Sequence, residues 1–181
     1  MHAASGSATA AVLALSDTPR ATAVAILAAV LVSLSALDVI RLLDRRVNVL
    51  FFRSFRSFAS PREARGPASS TWYTFGLLLT VAFFPRRCAV SGILVLALAD
   101  PAASYVGRRW GRRAFLGATL EGTLLFAVVA FCIVAPRHGI AAAAATALVT
   151  TLAERLSRPL DDNLTLPVVG AATIALLEAV L

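Results

Sequence analysis

The chain has 181 residues, and 59% of them are hydrophobic even before glycine is counted. Soluble domains are about 45–50% apolar with glycine included, so the composition excludes an ordinary soluble domain and a disordered chain. Seventeen basic residues, all of them arginine, stand against ten acidic ones and give a net charge of +7. The absence of lysine excludes a P-loop. Because the arginines lie between apolar runs, we expect a membrane protein with no nucleic-acid partner.

Seven apolar runs follow one another, and most approach the roughly 17–20 residues that a membrane-crossing helix needs. They cover residues 2–15, 21–43, 68–84, 88–106, 119–135, 139–153 and 164–181. The first and the sixth run are short. We therefore predict an all-α fold, a polytopic helical bundle in the membrane with about seven (six to seven) transmembrane helices. We expect residues 1–181 to form one membrane-embedded domain.

Two kinds of connection alternate between these runs. The tight connections, each with a Pro-Arg step, are 16–20, 85–87 and 136–139, and the long charged ones are 44–67, 107–118 and 154–163. Thirteen of the 17 arginines lie in or beside the long connections. The positive-inside rule places those connections in the cytoplasm, so we expect an integral protein of the cytoplasmic membrane with a site on the cytoplasmic side.

The segment 47–58 reads V-N-V-L-F-F-R-S-F-R-S-F, with apolar positions at helical spacing between arginines. This pattern predicts an amphipathic helix that lies in the cytoplasmic interface. Cys88 and Cys132 stand in apolar surroundings without metal-ligand spacing. We therefore expect both cysteines to be small buried hydrophobic side chains.

Acidic residues inside apolar segments are costly in a membrane and mark candidate functional positions. Asp38 and Arg41 lie three apart on one predicted helix face, where they form either a structural ion pair or part of a site. Asp100-Pro101 interrupts an apolar run. An N-cap followed by proline would explain the dipeptide but not its place inside that run, so we favour a functional Asp100.

Further candidates stand at the ends of the long connections. Gly107-x-x-x-Gly111, with arginines interleaved, suits phosphate binding, although close helix packing or topology signalling would also explain it. Glu121 opens the fifth run, where the helix dipole alone would favour an acid. Glu154 and Arg158 are four apart, and a pair on a helix surface is the simplest interpretation.

Asp161-Asp162-Asn163 precedes the seventh run. One of these side chains is needed as a helix cap, and three are not. Mg²⁺ that is held by one or two carboxylates together with substrate phosphates would use such an arrangement. We therefore favour a functional role for this group.

Four sequence blocks stand in order at predicted cytoplasmic helix ends. They are D-V-I-R at 38–41 with Asn48, Arg62-Glu63 and an aromatic helix start at 71–76; A-D-P-A-A-S-Y-V-G-R-R-W-G-R at 99–112; T-L-E-G-T at 119–123; and Glu154 with D-D-N-L-T-L-P at 161–167. Together they resemble the CTP-dependent lipid-alcohol kinases, the family that includes dolichol kinase, phytol kinase and the CTP-dependent diacylglycerol kinase.

The chain departs from that family pattern in two places. The family usually has lysine before its [ST]-x-E-G step, where this chain has Ala118, so a phosphate-binding cation is missing or Arg113 substitutes for it. The family often begins with R-K-x-x-H-x-x-x-G, of which His2 and Gly6 match the second half. The pattern therefore predicts a start upstream of Met1 or the loss of the basic pair.

The resemblance implies phosphoryl transfer from CTP to the hydroxyl of a membrane lipid alcohol (diacylglycerol, polyprenol/dolichol or phytol), which gives CDP and a lipid phosphate with Mg²⁺ as the metal. It implies catalytic roles for Asp100, Asp161, Asp162 and Glu121, with Asp100 and Asp162 as metal ligands. It implies nucleotide binding by Gly107, Arg108, Gly111, Arg112, Thr119 and Asn163. The residues that line or support the lipid entrance would be His2, Asp38, Arg41, Arg62, Glu63 and Glu154.

Two alternatives stay open. One is cytidylyl transfer to phosphatidate, which would give CDP-lipid and pyrophosphate from the same acidic residues. The other is a small membrane transporter or structural subunit without enzymatic activity. A transporter would carry polar residues near the middle of the membrane, whereas most charges here lie at one face. The D-x-x-R and R-E elements favour diacylglycerol as the acceptor.

Overall fold

Helices make up nearly all of the described chain. The computed structural model describes residues 2–55, 60–156 and 160–180, except for the side chains of His2 and Arg62. The elements in chain order are α1 (His2–Leu15), α2 (Arg20–Leu43), α3 (Arg45–Ser54), a 3₁₀ turn (Pro61–Arg65), α4 (Ser69–Phe83), α5 (Arg86–Leu94), a π-helical turn (Val95–Ala99), α6 (Asp100–Trp110), β1 (Ala114–Phe115), β2 (Ala118–Thr119), α7 (Leu120–Leu156) and α8 (Asp162–Val180). The expected all-α architecture is confirmed, with one two-residue β-hairpin between α6 and α7.

Four of these helical segments are long and apolar enough to cross a membrane. They are Arg20–Leu43, Arg86–Trp110, Leu120–Leu156 and Asp162–Val180. The helices α1 and α4 have 14 and 15 residues. At about 1.5 Å per residue they span only about 21–23 Å, whereas the bilayer core is about 30 Å thick. The four long helices indicate an integral membrane protein, and the count of seven spans stays a prediction.

The helix α7 covers two of the expected apolar runs and bends between them. Gly139 has φ 82° and ψ 169°, a conformation that favours glycine, and it divides the helix into residues 120–138 and 140–156. The helix continues through Pro136, where the sequence predicted the start of a tight turn. Residues from both ends of α7 line one cavity, so the chain reverses direction at Gly139. The two runs are therefore separated at the expected place, by a turn at Gly139.

The tight connections meet at one end of the bundle. The Arg20 guanidinium donates to the backbone carbonyls of Val81 and Phe84, at 2.8 and 3.0 Å. Arg86 donates to the carbonyl of Thr18 at 2.7 Å, so the α1–α2 connection and the α4–α5 connection are joined by reciprocal arginine contacts. These bonds satisfy carbonyls that the helix ends leave without partners. The expectation that the Pro-Arg turns share a face agrees with these contacts, and the end that they form is called the Pro-Arg end below.

The core lies where α8 packs against α4, α5 and α7. Close approach depends on small residues: a Cβ on Gly76 would meet the backbone of Asn163 and Leu164, and one on Gly92 would meet that of Pro167. The fully buried side chains include Leu77, Ile93, Leu96, Phe126, Leu166 and Ile174. In contrast, α2 exposes many large apolar side chains, as expected for a helix that faces lipid.

The predicted amphipathic segment forms α3. Asp44 caps the helix, because its carboxylate accepts a hydrogen bond from the N–H of Arg46 at 2.7 Å. Phe51 stacks near Phe55 and also lies under the Arg41 guanidinium, 4.7 Å from the ring centroid. The helix ends at Ser54, and residues 56–58 of the predicted segment lie outside the described residues.

Candidate functional site

Asp100 stands where the π-helical turn joins α6. Its backbone is helical, with φ −62° and ψ −53°, and so is that of Ala99 before it. An N-cap residue has non-helical backbone angles, so helix capping does not explain this aspartate. Single-turn π-helices often accompany functional positions. Among the described residues, no side chain or backbone N–H donates a hydrogen bond to the half-buried Asp100 carboxylate.

Two more carboxylates and two arginines surround Asp100. Asp162 at the start of α8 and Glu154 at the end of α7 lie within electrostatic range of it, as do the guanidinium groups of Arg155 and Arg108. Glu154 forms an ion pair with Arg155 and also interacts with Asp162. Three acids and two bases from three helices therefore converge at one end of the bundle.

A cavity of about 240 Å³ opens beside this cluster. Its lining residues are Ala103, Ser104, Gly107, Arg108, Ala118, Thr119, Gly122, Thr123, Glu154 and Arg155. The helices α6 and α7 come close here because both carry glycine: a Cβ on Gly122 would lie 2.8 Å from the Ala103 carbonyl oxygen and 3.3 Å from the Gly107 Cα. The pattern of small residues therefore serves helix packing, and Gly107 also lines the cavity.

The hairpin between α6 and α7 closes one side of the cavity, and the Glu121 side chain at the start of α7 holds it in place. The Glu121 carboxylate accepts hydrogen bonds from the backbone N–H groups of Arg112 and Arg113, at 3.1 and 3.4 Å. The N–H of Gly111 donates to the carbonyl of Gly107 and ends α6. Thr119 caps the start of α7, since its hydroxyl accepts from the N–H of Gly122. The side chains of Arg112 and Arg113 are exposed.

The adjacent aspartates before α8 have different surroundings. Asp161 accepts hydrogen bonds from the backbone and the side-chain amide of Asn163, at 3.1 and 2.7 Å. Its own carbonyl accepts from the N–H groups of Leu164 and Thr165. Asp162 also accepts from the Asn163 N–H, at 3.0 Å. The Asn163 side-chain amide and the two further N–H groups nevertheless mark Asp161 as the helix cap, and Asn163 is buried beneath it. Asp162 lies on the side of Asp100 and Glu154.

Asp38 and Arg41 belong to a second, buried network. Arg41 donates to the Asp38 carboxylate and to the backbone carbonyls of Glu63 and Gly66, each at 2.7 Å. The other oxygen of Asp38 accepts from the N–H of Ala68 and the hydroxyl of Thr71. These bonds tie the end of α2 to the 3₁₀ turn and to the start of α4.

The structure thus divides the expected site residues into groups. Around the cavity and the acid cluster lie Asp100, Gly107, Arg108, Thr119, Glu154 and Asp162. Beside it, in the hairpin or at a helix start, lie Gly111, Arg112, Glu121, Asp161 and Asn163. Asp38, Arg41 and Glu63 form the second network, in which Glu63 accepts from the Ser69 hydroxyl at 2.6 Å. The side chains of His2 and Arg62, and all of Arg158, lie outside the described residues.

Arg155 lines the cavity, although in the sequence it served only as one of the thirteen arginines that indicate the cytoplasmic side. Its signal was weak, because a lone arginine next to Glu154 at a helix end is typical of a solvated surface. The expected burial of Cys88 is confirmed, although its thiol also contacts the Glu178 carboxylate. The expected burial of Cys132 is wrong, because this side chain is exposed. In a run that is apolar on every side, the sequence does not tell which face meets lipid.

Comparison with known proteins gives weak, partial similarity to lipid kinases. The chain is 29% identical over 75 residues to the CTP-dependent diacylglycerol kinase 1 of Saccharomyces cerevisiae, a match that covers 41% of this chain and 26% of that protein. It is 32% identical over 96 residues to the CTP-dependent diacylglycerol kinase 1 of Eremothecium gossypii, which covers 51% of this chain and 30% of that one.

A third relative, an uncharacterised protein of Methanocaldococcus jannaschii, is 32% identical over 117 residues, 62% of this chain and 61% of its own length. The chain therefore spans less than a third of each yeast kinase that it matches. No family model and no solved structure matches the chain. The similarity suggests a transferase of the lipid kinase type.

Proposed function

We propose that this protein transfers the γ-phosphoryl group of CTP to the hydroxyl of a membrane lipid alcohol, with diacylglycerol as the favoured acceptor. The observation that carries the proposal is the convergence of Asp100, Glu154 and Asp162 with Arg108 and Arg155 beside one cavity at the helix ends. The similarity to two CTP-dependent diacylglycerol kinases supports CTP as the donor.

The cavity suits the phosphates of the nucleotide. Its volume of about 240 Å³ is below the roughly 300–1,000 Å³ of typical small-molecule sites, so the phosphates enter and the base and ribose stay outside. Arg108 and Arg155 line it, and guanidinium groups bind phosphate through paired N–H donors. Arg155 supplies the cation that the family pattern places as lysine at the position of Ala118, which lines the same cavity.

The donor set fits Mg²⁺. Asp100 and Asp162 are the proposed ligands, and carboxylate oxygen is the donor that this hard cation prefers. Among the described residues, Asp100, Glu154 and Asp162 do not bring three carboxylate oxygens within 4.8 Å of one another. This agrees with Mg²⁺, which is usually held by one or two carboxylates together with substrate phosphates. When bound, the ion neutralises charge that develops on the phosphates.

The other residues position these groups. Glu154 holds the Arg155 guanidinium in the cavity through their ion pair. Glu121 fixes the hairpin through two backbone N–H groups, and Asp161 fixes the start of α8, so that Asp162 points toward Asp100. Phosphoryl transfer needs mostly positioning and charge neutralisation, which these contacts provide without a covalent nucleophile.

The phosphoryl group passes from CTP to the lipid in one step. The oxygen of the lipid hydroxyl bonds to the γ-phosphorus, the bond to the β–γ bridging oxygen breaks, and CDP leaves. The hydroxyl proton passes to a carboxylate of the cavity. We propose that α1, α4 and both halves of α7 cross the membrane as well, with the long connections in the cytoplasm. In this arrangement the lipid reaches the site from the bilayer at headgroup level.

Incubation of the full chain with CTP labelled at the γ-phosphate tests the proposal. The chain is reconstituted in lipid vesicles that contain diacylglycerol, a polyprenol or phytol, each in a separate preparation. Label in the lipid supports the kinase, with most in diacylglycerol. Label in pyrophosphate shows a cytidylyltransferase, and no turnover with any acceptor refutes both enzymes.

Two variants show whether the proposed cluster is responsible. Asp162→Asn abolishes transfer while the protein still inserts and folds. Asp17→Asn is the matched control, since Asp17 is an exposed acid beside the Pro-Arg end. Full activity of Asp162→Asn would contradict its assignment as a metal ligand.

A further inference from the structure

A second cluster of polar side chains lies at the Pro-Arg end, away from the proposed kinase site. Cys88 of α5, His138 of α7 and Glu178 of α8 each offer one ligand atom, and these atoms all lie within 4.8 Å of one another. The kinase reaction uses none of these residues. Because they come from three helices and are 40 to 90 residues apart in sequence, no spacing motif reveals them.

We propose that Cys88, His138 and Glu178 bind one Zn²⁺ ion. Thiolate sulfur, imidazole nitrogen and carboxylate oxygen are the three donor types that protein zinc sites use. The sulfur selects against Mg²⁺ and Ca²⁺, which prefer oxygen ligands alone. Three protein ligands leave a fourth tetrahedral position for water.

The contacts around His138 fit this role. Its Nδ1 faces the Glu178 carboxylate at 2.6 Å, and its Nε2 lies 2.8 Å from the hydroxyl of Ser91. When Nδ1 binds the metal, the Nε2–H group donates to Ser91, which fixes the tautomer and the ring orientation as second-shell partners of zinc ligands do. The His138 side chain is 0% exposed and Ser91 is fully buried, so the ring is held in place.

The charges and the access route also fit. Thiolate and carboxylate together neutralise the two charges of the ion. The Arg87 guanidinium contacts the Glu178 carboxylate at 2.6 Å but is 62% exposed, so solvent screens its charge. Glu178 is 25% exposed, which gives the ion a path from the aqueous end of the bundle.

In the absence of the ion, two hydrogen bonds hold the cluster together, and metal binding replaces both. The Cys88 thiol donates to Glu178 at 3.4 Å, and His138 Nδ1 lies 2.6 Å from the Glu178 carboxylate, to which its Nδ1–H tautomer donates. When the ion binds, the thiol proton leaves to solvent, because a zinc-bound cysteine must be deprotonated. The neutral His138 ring keeps its one proton on Nε2, where it donates to Ser91. The bound ion then ties α5 and α8 to α7 at His138, directly before the Gly139 turn.

Cobalt substitution tests the site, because Co²⁺ bound to thiolate gives a sulfur-to-metal charge-transfer band in the near ultraviolet. The purified full chain in detergent is titrated with Co²⁺ and then with Zn²⁺. We expect one Co²⁺ per chain with the thiolate band, displaced by Zn²⁺ and not by excess Mg²⁺. Cys132→Ser is the matched control and keeps the band, whereas Cys88→Ser loses it and binds at least tenfold more weakly. Absence of the band in the wild-type chain, or its persistence in Cys88→Ser, would overturn the proposal.

A second measurement does not depend on how the Cys88→Ser variant folds. In the Cys132→Ser chain, Cys88 is the one remaining thiol. Because Cys88 is buried, a maleimide alkylates it only when the cluster opens transiently. We expect Zn²⁺ to slow this alkylation at least tenfold, and a chelator to restore the rate. An alkylation rate that Zn²⁺ leaves unchanged would refute coordination by the thiolate.

Discussion

Removal of the Arg41 guanidinium tests whether the network at the end of α2 is structural. Arg41 is 2% exposed, and its removal leaves the buried Asp38 carboxylate without its ion-pair partner. It also leaves two backbone carbonyls, of Glu63 and Gly66, without the donors that they have now. Breaking a buried ion pair on one side costs about 3–5 kcal/mol, so we expect Arg41→Met to lower the free energy of unfolding by that amount.

The assay is denaturant unfolding of the full chain in detergent, followed by helix content. Asp38 keeps two donors in the variant, the N–H of Ala68 and the hydroxyl of Thr71, which favours the lower half of the range. The double variant Asp38→Asn with Arg41→Met removes the unpaired charge. We expect it to lose less stability than the sum of the two single changes, since residues in contact are not additive.

Arg53→Met is the matched control, because Arg53 is an exposed arginine of α3. A change at such a surface position is usually within about 0.5 kcal/mol. A loss of less than about 1 kcal/mol for Arg41→Met would show that the pair behaves as a solvated one and would refute the reasoning. Additive single and double variants would show that Asp38 and Arg41 do not interact.

Three further predictions concern the proposed kinase site and its packing. Asp161→Ala lowers the free energy of unfolding by about 1 kcal/mol through loss of a cap, whereas Asp162→Asn leaves stability unchanged and abolishes transfer from CTP. Gly122→Ala lowers the free energy of unfolding by about 1–3 kcal/mol, because the added methyl crowds a backbone oxygen of α6. Gly66→Ala is the control and leaves this free energy almost unchanged in the same assay, because nothing lies within 4 Å of its added methyl. Arg155→Met raises the KM for CTP at least tenfold, because a hydrogen bond to a charged group contributes about 1.5–3 kcal/mol; an unchanged KM would exclude phosphate contact.

Composition and turn chemistry were enough to predict the helical membrane fold. The Pro-Arg steps marked the turns that meet at one end, where Arg20 and Arg86 join the α1–α2 and α4–α5 connections. The signal was local, since proline and charge interrupt apolar runs wherever the chain turns. The turn predicted at 136–139 is present at Gly139, although the helix continues through Pro136 to that residue.

The site was predictable in part. The sequence placed Asp100, Glu154 and Asp162 at helix ends on one face, and the structure brings the three together. The sequence did not assign different roles to Asp161 and Asp162. Either of two adjacent aspartates can cap a helix, and only the structure shows which residue precedes the first turn. It missed Arg155, because an arginine next to an acid at a helix end is typical of a solvated surface.

The cluster at the opposite end was beyond reach from sequence. Cys88, His138 and Glu178 lie on helices whose mutual rotation depends on packing, and a uniformly apolar run carries no periodic signal of which face is buried. The exposure of Cys132 has the same cause. Side chains that meet from three such helices become visible only in three dimensions.

The most direct test of the central claim is nucleotide-dependent binding of Mn²⁺, used in place of Mg²⁺, by electron paramagnetic resonance. The account predicts that CTP induces one tightly bound Mn²⁺ per chain and that both Asp100→Asn and Asp162→Asn abolish it. Binding that does not depend on CTP, or that persists in both variants, would contradict a shared metal and triphosphate site.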